Sequence, residues 1–193
     1  MNTLRQFGAA PNLLTLLRLF VLPYLVIEIL DSEWKLAFIL LWIAGITDGL
    51  DGLLARKLGQ TTTLGQYLDP IADKLLLSTL FLVLTHVELI PRYVTVLVFS
   101  RDLGILLISM LLYITNTLRD FRPSGLGKVN TAVQIVTVLL VMTSQVFLTH
   151  RLHTVCHWLL IAVAWLAPMS AAQYAWLVMR RVQSPGTQNP TAA

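Results

Sequence analysis

Residues 48–74 have the sequence DGLDGLLARKLGQTTTLGQYLDPIADK, which contains four of the ten acidic residues of the chain. Asp48 and Asp51 are three residues apart, and Asp69 and Asp73 are four residues apart. At these spacings each pair shares one face of an α-helix. The stretch therefore predicts two consecutive helices that each carry a pair of carboxylates.

The chain as a whole is strongly apolar. Of its 193 residues, 56% are hydrophobic and 12% are charged, and the mean hydropathy is +0.72; soluble domains usually have about 25% charged residues. About 20 apolar residues cross ~30 Å of hydrocarbon. Six runs approach this length, at 13–31, 34–58, 69–90, 93–117, 127–149 and 153–179. We expect an all-α integral membrane protein with six transmembrane helices, the first kinked at Pro23, comprising a membrane domain at 1–181 and a disordered polar tail at 182–193.

Basic residues are unequally divided between the two sets of loops that six spans would create. One set includes both termini and contains Arg5, Arg56, Lys57, Arg119, Arg122, Lys128, Arg180 and Arg181. The opposite set contains Lys35, Arg92 and Arg151. The positive-inside rule therefore places both termini in the cytoplasm or the matrix, in a bacterial or mitochondrial inner membrane. This bias accounts for the net charge of +4, so no nucleic-acid partner is expected.

The two carboxylate pairs are predicted to converge at that cytoplasmic or matrix side. Asp48 lies about 21 Å along the second helix at 1.5 Å per residue, and Asp69 and Asp73 are expected to begin the third helix. Four acids without matching bases would repel one another, so divalent cations are the natural counter-charge. Carboxylate oxygens suit Mg²⁺ or Mn²⁺, and two ions about 3.5–4 Å apart suit phosphoryl displacement. No His or Cys has the spacing of a zinc site.

Residues beside the carboxylates have two interpretations each. Gly45, Gly49 and Gly52 recur on one helix face, where they either pack against another helix or let a bulky group approach the backbone. Arg56 is either a topology-setting charge or a clamp for a phosphate.

The complete pattern resembles a known motif. Its eight positions are Asp48-x2-Asp51-Gly52-x2-Ala55-Arg56-x8-Gly65-x3-Asp69-x3-Asp73. This is similar at every position to the motif of the CDP-alcohol phosphatidyltransferase family. The six predicted helices and the length of the chain also fit that family.

The resemblance implies an enzyme, usually a homodimer, that transfers a phosphatidyl group from CDP-diacylglycerol to an alcohol and releases CMP. It implies that Asp48, Asp51 and Asp69 bind metal and that Asp73 is the general base, with a further contact to the metal. The nucleotide pocket would be formed by the remaining motif positions, Gly52, Ala55, Arg56 and Gly65.

Three further segments, at 11–18, 100–102 and 127–131, resemble the phosphatidylglycerophosphate and cardiolipin synthase branch of that family. In PNLLTLLR, at 11–18, Asn12 and Thr15 either face the nucleotide or form an N-cap and first turn. In Ser100-Arg101-Asp102, Arg101 either binds the acceptor or belongs to a structural Arg–Asp pair.

The acceptor is expected to carry a phosphate. Arg119, Arg122 and Lys128 lie on the same side as the aspartates, where they either bind an anionic acceptor or only set the topology. In GKVNT, at 127–131, Asn130 stands where glycerophosphate enzymes more often have a second lysine. This difference favours phosphatidylglycerol as the acceptor, as in a cardiolipin synthase, with glycerol 3-phosphate as the alternative.

Two other functions were weighed against this one. A divalent-cation transporter also has intramembrane carboxylates, but its acids would follow a path near the midplane, and an arginine beside them would repel the ion. A membrane prenyltransferase uses two separate Asp-rich motifs, whereas this chain has one cluster.

Overall fold

The computed structural model describes residues 10–58, 63–114, 125–147 and 150–183. Within these ranges, the side chains of residues 49–71, of Asn12 and of some others near helix ends lie outside the description. The described ranges are all-helical and comprise six helices: α1 Ala10–Leu30, α2 Trp34–Leu58, α3 Thr63–His86, α4 Arg92–Ile114, α5 Gly125–Phe147 and α6 His150–Gln183. The predicted all-α class is thus confirmed.

One predicted boundary is wrong. The third apolar run was placed at 69–90, whereas α3 runs from Thr63 to His86. Backbone hydrogen bonding continues through the polar residues before Asp69, since an apolar run marks the extent of hydrocarbon rather than that of the helix. Asp69 and Asp73 therefore lie well inside α3 and do not begin it. The second run, at 34–58, coincides with α2.

The helices form two compact units. The N-terminal unit contains α1, α2 and α3, together with residues 138–147 of α5 and the start of α6 up to Cys156. In this unit α1 packs against both α2 and α3. Its core includes fully buried apolar side chains from all three of these helices, among them Leu25, Ala37 and Phe81.

The C-terminal unit contains α4, residues 125–137 of α5 and most of α6. A stripe of buried residues follows α6 at intervals of three and four, the period of one helix face: Leu160, Val163, Ala167, Ser170 and Tyr174. Large side chains on the other faces of α6 remain exposed, including Trp165 at 68% and Met169 at 53%. This helix therefore buries one narrow stripe and exposes large apolar side chains on its other faces, an arrangement that suits lipid rather than water.

Two segments of the described chain are both long and apolar enough to cross a membrane, Gly125–Phe147 and Leu152–Arg180. Exposed large apolar side chains also occur along α1, α2 and α4, for example Phe20, Ile46 and Leu106. Large exposed apolar side chains often mark surfaces that contact lipid or protein, so the described surface has membrane character.

Helices α1 and α3 end in the same kind of turn. After α1, Ser32 has a positive φ of 63°, its N–H donates to the carbonyl of Ile29 at 3.2 Å, and the N–H of Glu33 donates to that of Glu28 at 2.9 Å. After α3, Glu88 has a φ of 62° and Leu89 closes the equivalent bond to Leu84. Both are Schellman caps, which usually place glycine at the residue with positive φ.

Glycine at Ser32 is therefore expected to stabilise the protein. The left-handed conformation costs a non-glycine residue roughly 1–2 kcal/mol. Glycine removes this cost, but its greater freedom in the unfolded chain lowers the free energy of unfolding by about 0.4–1 kcal/mol. Ser32→Gly should raise the melting temperature of the detergent-solubilised protein by about 1–4 °C. The control is Ser32→Ala, which keeps the strained backbone and should melt close to wild type. Equal melting temperatures for the two variants would contradict this explanation.

Candidate active site

Asp48 and Asp73 meet at one arginine. Arg18 of α1 uses Nη2 to contact Oδ1 of Asp48 on α2 at 2.6 Å. Its other terminal nitrogen, Nη1, donates to Oδ1 of Asp73 on α3. The two arms of a single guanidinium thus connect two of the predicted metal ligands, which are 25 residues apart in the chain, and tie three helices together.

Helix lengths explain why these three residues meet. Asp48 lies ten residues before the end of α2 at Leu58, and Asp73 lies ten residues after the start of α3 at Thr63. At 1.5 Å per residue each is about 15 Å from the connection between α2 and α3. Arg18 is eight residues, or about 12 Å, from the start of α1. Because α1 packs against both helices, the three side chains lie at a common depth.

Arg18 is the main residue of this site that the sequence analysis did not assign. Its side chain is 1% exposed, although arginine is almost never fully buried unless it is paired. A charge inside a transmembrane segment costs about 2.5–3.5 kcal/mol at the helix centre, so it indicates a function or a partner. Its position five residues after the start of the apolar run at 13–31 was the signal available in the sequence.

The pairing changes the electrostatic argument. The expectation that the converging acids lack a matching base is wrong for Asp48 and Asp73. The two carboxylates still outnumber the one guanidinium, and their side chains remain 47% and 48% exposed. The described site is therefore acidic and accessible, and it can bind a cation in addition to Arg18.

The donor set fits a hard divalent cation. Carboxylate oxygens are the ligands that Mg²⁺ and Mn²⁺ prefer. Among the described side chains no three His, Cys, Asp or Glu come together, but the side chains of Asp51 and Asp69 lie outside that set. Asp51 follows Asp48 by three residues and Asp69 precedes Asp73 by four, so both positions share helix faces with the described pair. The described geometry is compatible with the predicted four-carboxylate site.

The predicted nucleotide residues are mostly outside the described side chains. This applies to Gly52, Ala55, Arg56 and Gly65, and also to Asn12. The described part of α1 begins at Ala10, so Asn12 lies within the first helical turn rather than at an N-cap. Thr15 is described and is fully buried, one turn before Arg18. The nucleotide-binding roles of these residues remain predictions.

Arg101, a predicted acceptor residue, is engaged within the C-terminal unit. Its Nε donates to Oγ of Ser170 on α6 at 2.9 Å, and its Nη1 contacts Oδ1 of the adjacent Asp102 at 2.5 Å. The side chain is 8% exposed. These are the contacts of a structural arginine that ties α4 to α6, the alternative considered from the sequence. A role in acceptor binding is still a prediction.

The other predicted acceptor residues lie at or before the start of α5. Lys128 is exposed in the first turn of α5, whereas Arg119 and Arg122 lie outside the described residues. The side chains of Asn130 and Gln134, two and six residues after Lys128, are 0% and 1% exposed. Both polar atoms of the Asn130 amide, and Nε2 of Gln134, have no hydrogen-bond partner within the described part of the chain. Buried amides usually have partners, so this polar pair was a further feature that the sequence analysis did not anticipate.

Comparison with known proteins identifies the family. The model of the CDP-alcohol phosphatidyltransferase family matches residues 9–169. The CMP-forming cardiolipin synthase of Rattus norvegicus is 36% identical over 155 residues, covering 71% of this chain and 51% of that protein. The CDP-diacylglycerol–glycerol-3-phosphate 3-phosphatidyltransferase of Bacillus subtilis is 32% identical over 143 residues, covering 66% of this chain and 73% of that protein. A probable phosphatidylglycerophosphate synthase of Mycobacterium tuberculosis is 35% identical over 134 residues, 66% of this chain and 62% of that protein.

The match extends over the site described above. The chain spans about half the length of the mammalian cardiolipin synthases that it matches. The matched region contains α1 to α5, and with them Arg18, Asp48 and Asp73. Since the family model covers well over half of the chain, this protein belongs to the CDP-alcohol phosphatidyltransferase family.

Proposed function

We propose that this protein transfers a phosphatidyl group from CDP-diacylglycerol to an acceptor alcohol and releases CMP. The observation that carries the proposal is the meeting of Asp48 and Asp73, the first and last aspartates of the family motif, at one accessible acidic site. The relatives that the chain matches include a CMP-forming cardiolipin synthase and a CDP-diacylglycerol–glycerol-3-phosphate 3-phosphatidyltransferase. Both names describe enzymes of phosphatidyl transfer. As in the family generally, the protein is proposed to act as a homodimer.

The proposed reaction forms one bond to phosphorus and breaks another. The acceptor hydroxyl oxygen attacks the β-phosphorus of CDP-diacylglycerol, the bond from that phosphorus to the CMP oxygen breaks, and Asp73 takes the hydroxyl proton. Asp48, Asp51 and Asp69 would hold two Mg²⁺ or Mn²⁺ ions, and Asp73 would also contact them. When bound, these ions stabilise charge on the diphosphate oxygens. Arg56 and the small residues Gly52, Ala55 and Gly65 would hold the nucleotide diphosphate.

We also propose that all six helices cross a bilayer and that the site lies at the cytoplasmic or matrix side, in a bacterial or mitochondrial inner membrane. Arg18, Asp48 and Asp73 lie in the halves of their helices nearer the start of α1 and the connection between α2 and α3, which supports a site that opens toward that side. Near the end of α6 the guanidinium carbon of Arg180 lies 3.9 Å above the Trp176 ring, so a basic and an aromatic side chain are paired there. Aromatic and basic residues concentrate at membrane interfaces.

Phosphatidylglycerol is the proposed acceptor. Asn130 is a neutral, buried amide in the position where a second lysine would favour the doubly charged glycerol 3-phosphate, and a phosphodiester carries a single negative charge. Lys128, exposed two residues earlier, provides one positive charge. The match to CMP-forming cardiolipin synthases supports this assignment, and the bacterial relatives support glycerol 3-phosphate as the alternative.

Replacing Asp73 separates chemistry from binding. Asp73→Asn keeps an oxygen that can accept from Arg18 but removes the base, so turnover should fall by at least about 100-fold. Binding of CDP-diacylglycerol in the presence of Mn²⁺ should be retained. The comparison is Asp48→Asn, which should lose both turnover and donor binding. A rate above about a tenth of wild type for Asp73→Asn would show that another group is the base.

Removal of divalent metal should stop the reaction. Dialysis against a chelator is expected to abolish CMP release, because the carboxylates then lack the charge that holds the diphosphate. Addition of Mg²⁺ or Mn²⁺ should restore it. Full CMP release after dialysis in excess chelator would be incompatible with the two-metal mechanism.

Lys128 tests the acceptor. Lys128→Ala should raise the KM for the acceptor by roughly fivefold, the modest effect of an exposed charge, with little change in the KM for CDP-diacylglycerol. Lys35→Ala, an exposed lysine at the start of α2, is the matched control and should change neither KM. Unchanged constants in Lys128→Ala would leave this lysine with a topological role only.

The lipid product identifies the acceptor directly. With both acceptors supplied in separate assays, the proposal expects cardiolipin from phosphatidylglycerol. Formation of phosphatidylglycerophosphate from glycerol 3-phosphate, with no cardiolipin from phosphatidylglycerol, would reverse the assignment.

A further inference from the structure

We propose that Arg18 is a built-in counter-cation that holds Asp48 and Asp73 in position before metal binds and competes with the metal for them. This inference deepens the proposed function and rests on its metal site. It assigns to Arg18 the role of a positioning residue, which acts on the metal through the two carboxylates rather than on the substrate.

Arg18 and its two carboxylate partners differ in burial. The Arg18 side chain is 1% exposed, whereas the carboxylates that it contacts are about half exposed. Removing a guanidinium from water is costly unless its partners are well placed. Arg18 therefore depends on Asp48 and Asp73, while each carboxylate retains access to ions from outside. The pairing is asymmetric, with a fixed cation and two accessible anions.

Arg18 joins three helices. Arg18 is on α1, and its two carboxylates are on α2 and α3, so no single helix could bring them together. α1 packs against both partners, and the planar guanidinium imposes directions on its contacts that an ammonium does not. In protein without metal, Arg18 supplies the attraction that offsets repulsion between the two acids.

Arg18 and a bound metal ion would compete for the same carboxylate oxygens. A divalent ion bound by Asp48 and Asp73 shares their oxygens with a guanidinium that already contacts Oδ1 of each. Two cations on one pair of carboxylates repel each other, so metal must weaken or replace the Arg18 contacts. Linkage is reciprocal: if metal weakens the Arg18 pairing, the Arg18 pairing weakens metal binding by the same factor.

The test is Mn²⁺ binding by the full-length, detergent-solubilised protein without substrates, measured by titration calorimetry or by electron paramagnetic resonance. Arg18→Gln removes the charge and keeps a polar side chain. We expect it to bind Mn²⁺ more tightly than wild type, by roughly 5–150-fold, the usual range of coupling between sites. Without metal, Arg18→Gln should have a lower melting temperature than wild type. Addition of Mn²⁺ should raise its melting temperature by more than it raises that of wild type.

The matched control is Arg101→Gln. Arg101 is also buried and paired with an aspartate, but it belongs to the C-terminal unit. Its loss should lower the melting temperature and leave the Mn²⁺ affinity at the wild-type value, as expected for an arginine whose role is structural. Equal or weaker Mn²⁺ binding by Arg18→Gln would overturn the proposal.

Failure of the variant to fold is also informative. Arg18→Met keeps the apolar stem without the charge and serves as a second variant. If either variant folds only when Mn²⁺ is present, the proposal is supported, because the metal then replaces the charge that Arg18 supplies. If neither folds with or without Mn²⁺, Arg18 is a structural residue and the proposal is wrong. Absence of Mn²⁺ binding by wild type would instead contradict the metal-dependent function itself.

Discussion

The contact of one buried guanidinium with two carboxylates is the constraint on which the N-terminal unit depends. Arg18 loses its hydration on entering the interior of three helices, and the ion pairs with Asp48 and Asp73 offset that loss. The requirement fixes the relative heights of α1, α2 and α3, since a shift of one turn, about 5.4 Å, would separate the charges. The same requirement gathers two distant aspartates of the motif at one place.

The two units use buried arginines in different ways. In the N-terminal unit Arg18 meets carboxylates that remain accessible, so its charge is part of a site that other ions can enter. In the C-terminal unit Arg101 contacts its own neighbour Asp102, which is 15% exposed, and the hydroxyl of Ser170. That arrangement is more enclosed and links α4 to α6. Both arginines are buried, so burial does not distinguish the two sites. They differ in the exposure of the carboxylate partners, which is high at Asp48 and Asp73 and low at Asp102.

The position of Arg18 also bears on the competing functions. A cation that moved through the protein past Asp48 and Asp73 would be repelled by the guanidinium that contacts both of them. For an enzyme that handles an anionic diphosphate, a fixed positive charge beside the metals is no obstacle. The residues proposed to select the acceptor are at the start of α5, where exposed Lys128 and buried Asn130 differ in charge and in access.

The sequence by itself determined the helical class, the membrane character and the family. Hydrophobic run length and the spacing of eight motif residues are local properties, so they could be recognised without a structure. It also predicted that Asp48 and Asp73 converge, from the depth of each along its helix. Only the tertiary structure revealed Arg18 as their common partner, because Arg18 is 30 residues from Asp48 and 55 residues from Asp73 in the sequence. The start of α3 at Thr63 and the contacts of Arg101 with Ser170 were likewise decided by hydrogen bonds and packing that composition does not encode. A charge buried in an apolar helix indicates that a partner exists, but only the packing of the helices determines which residue it is.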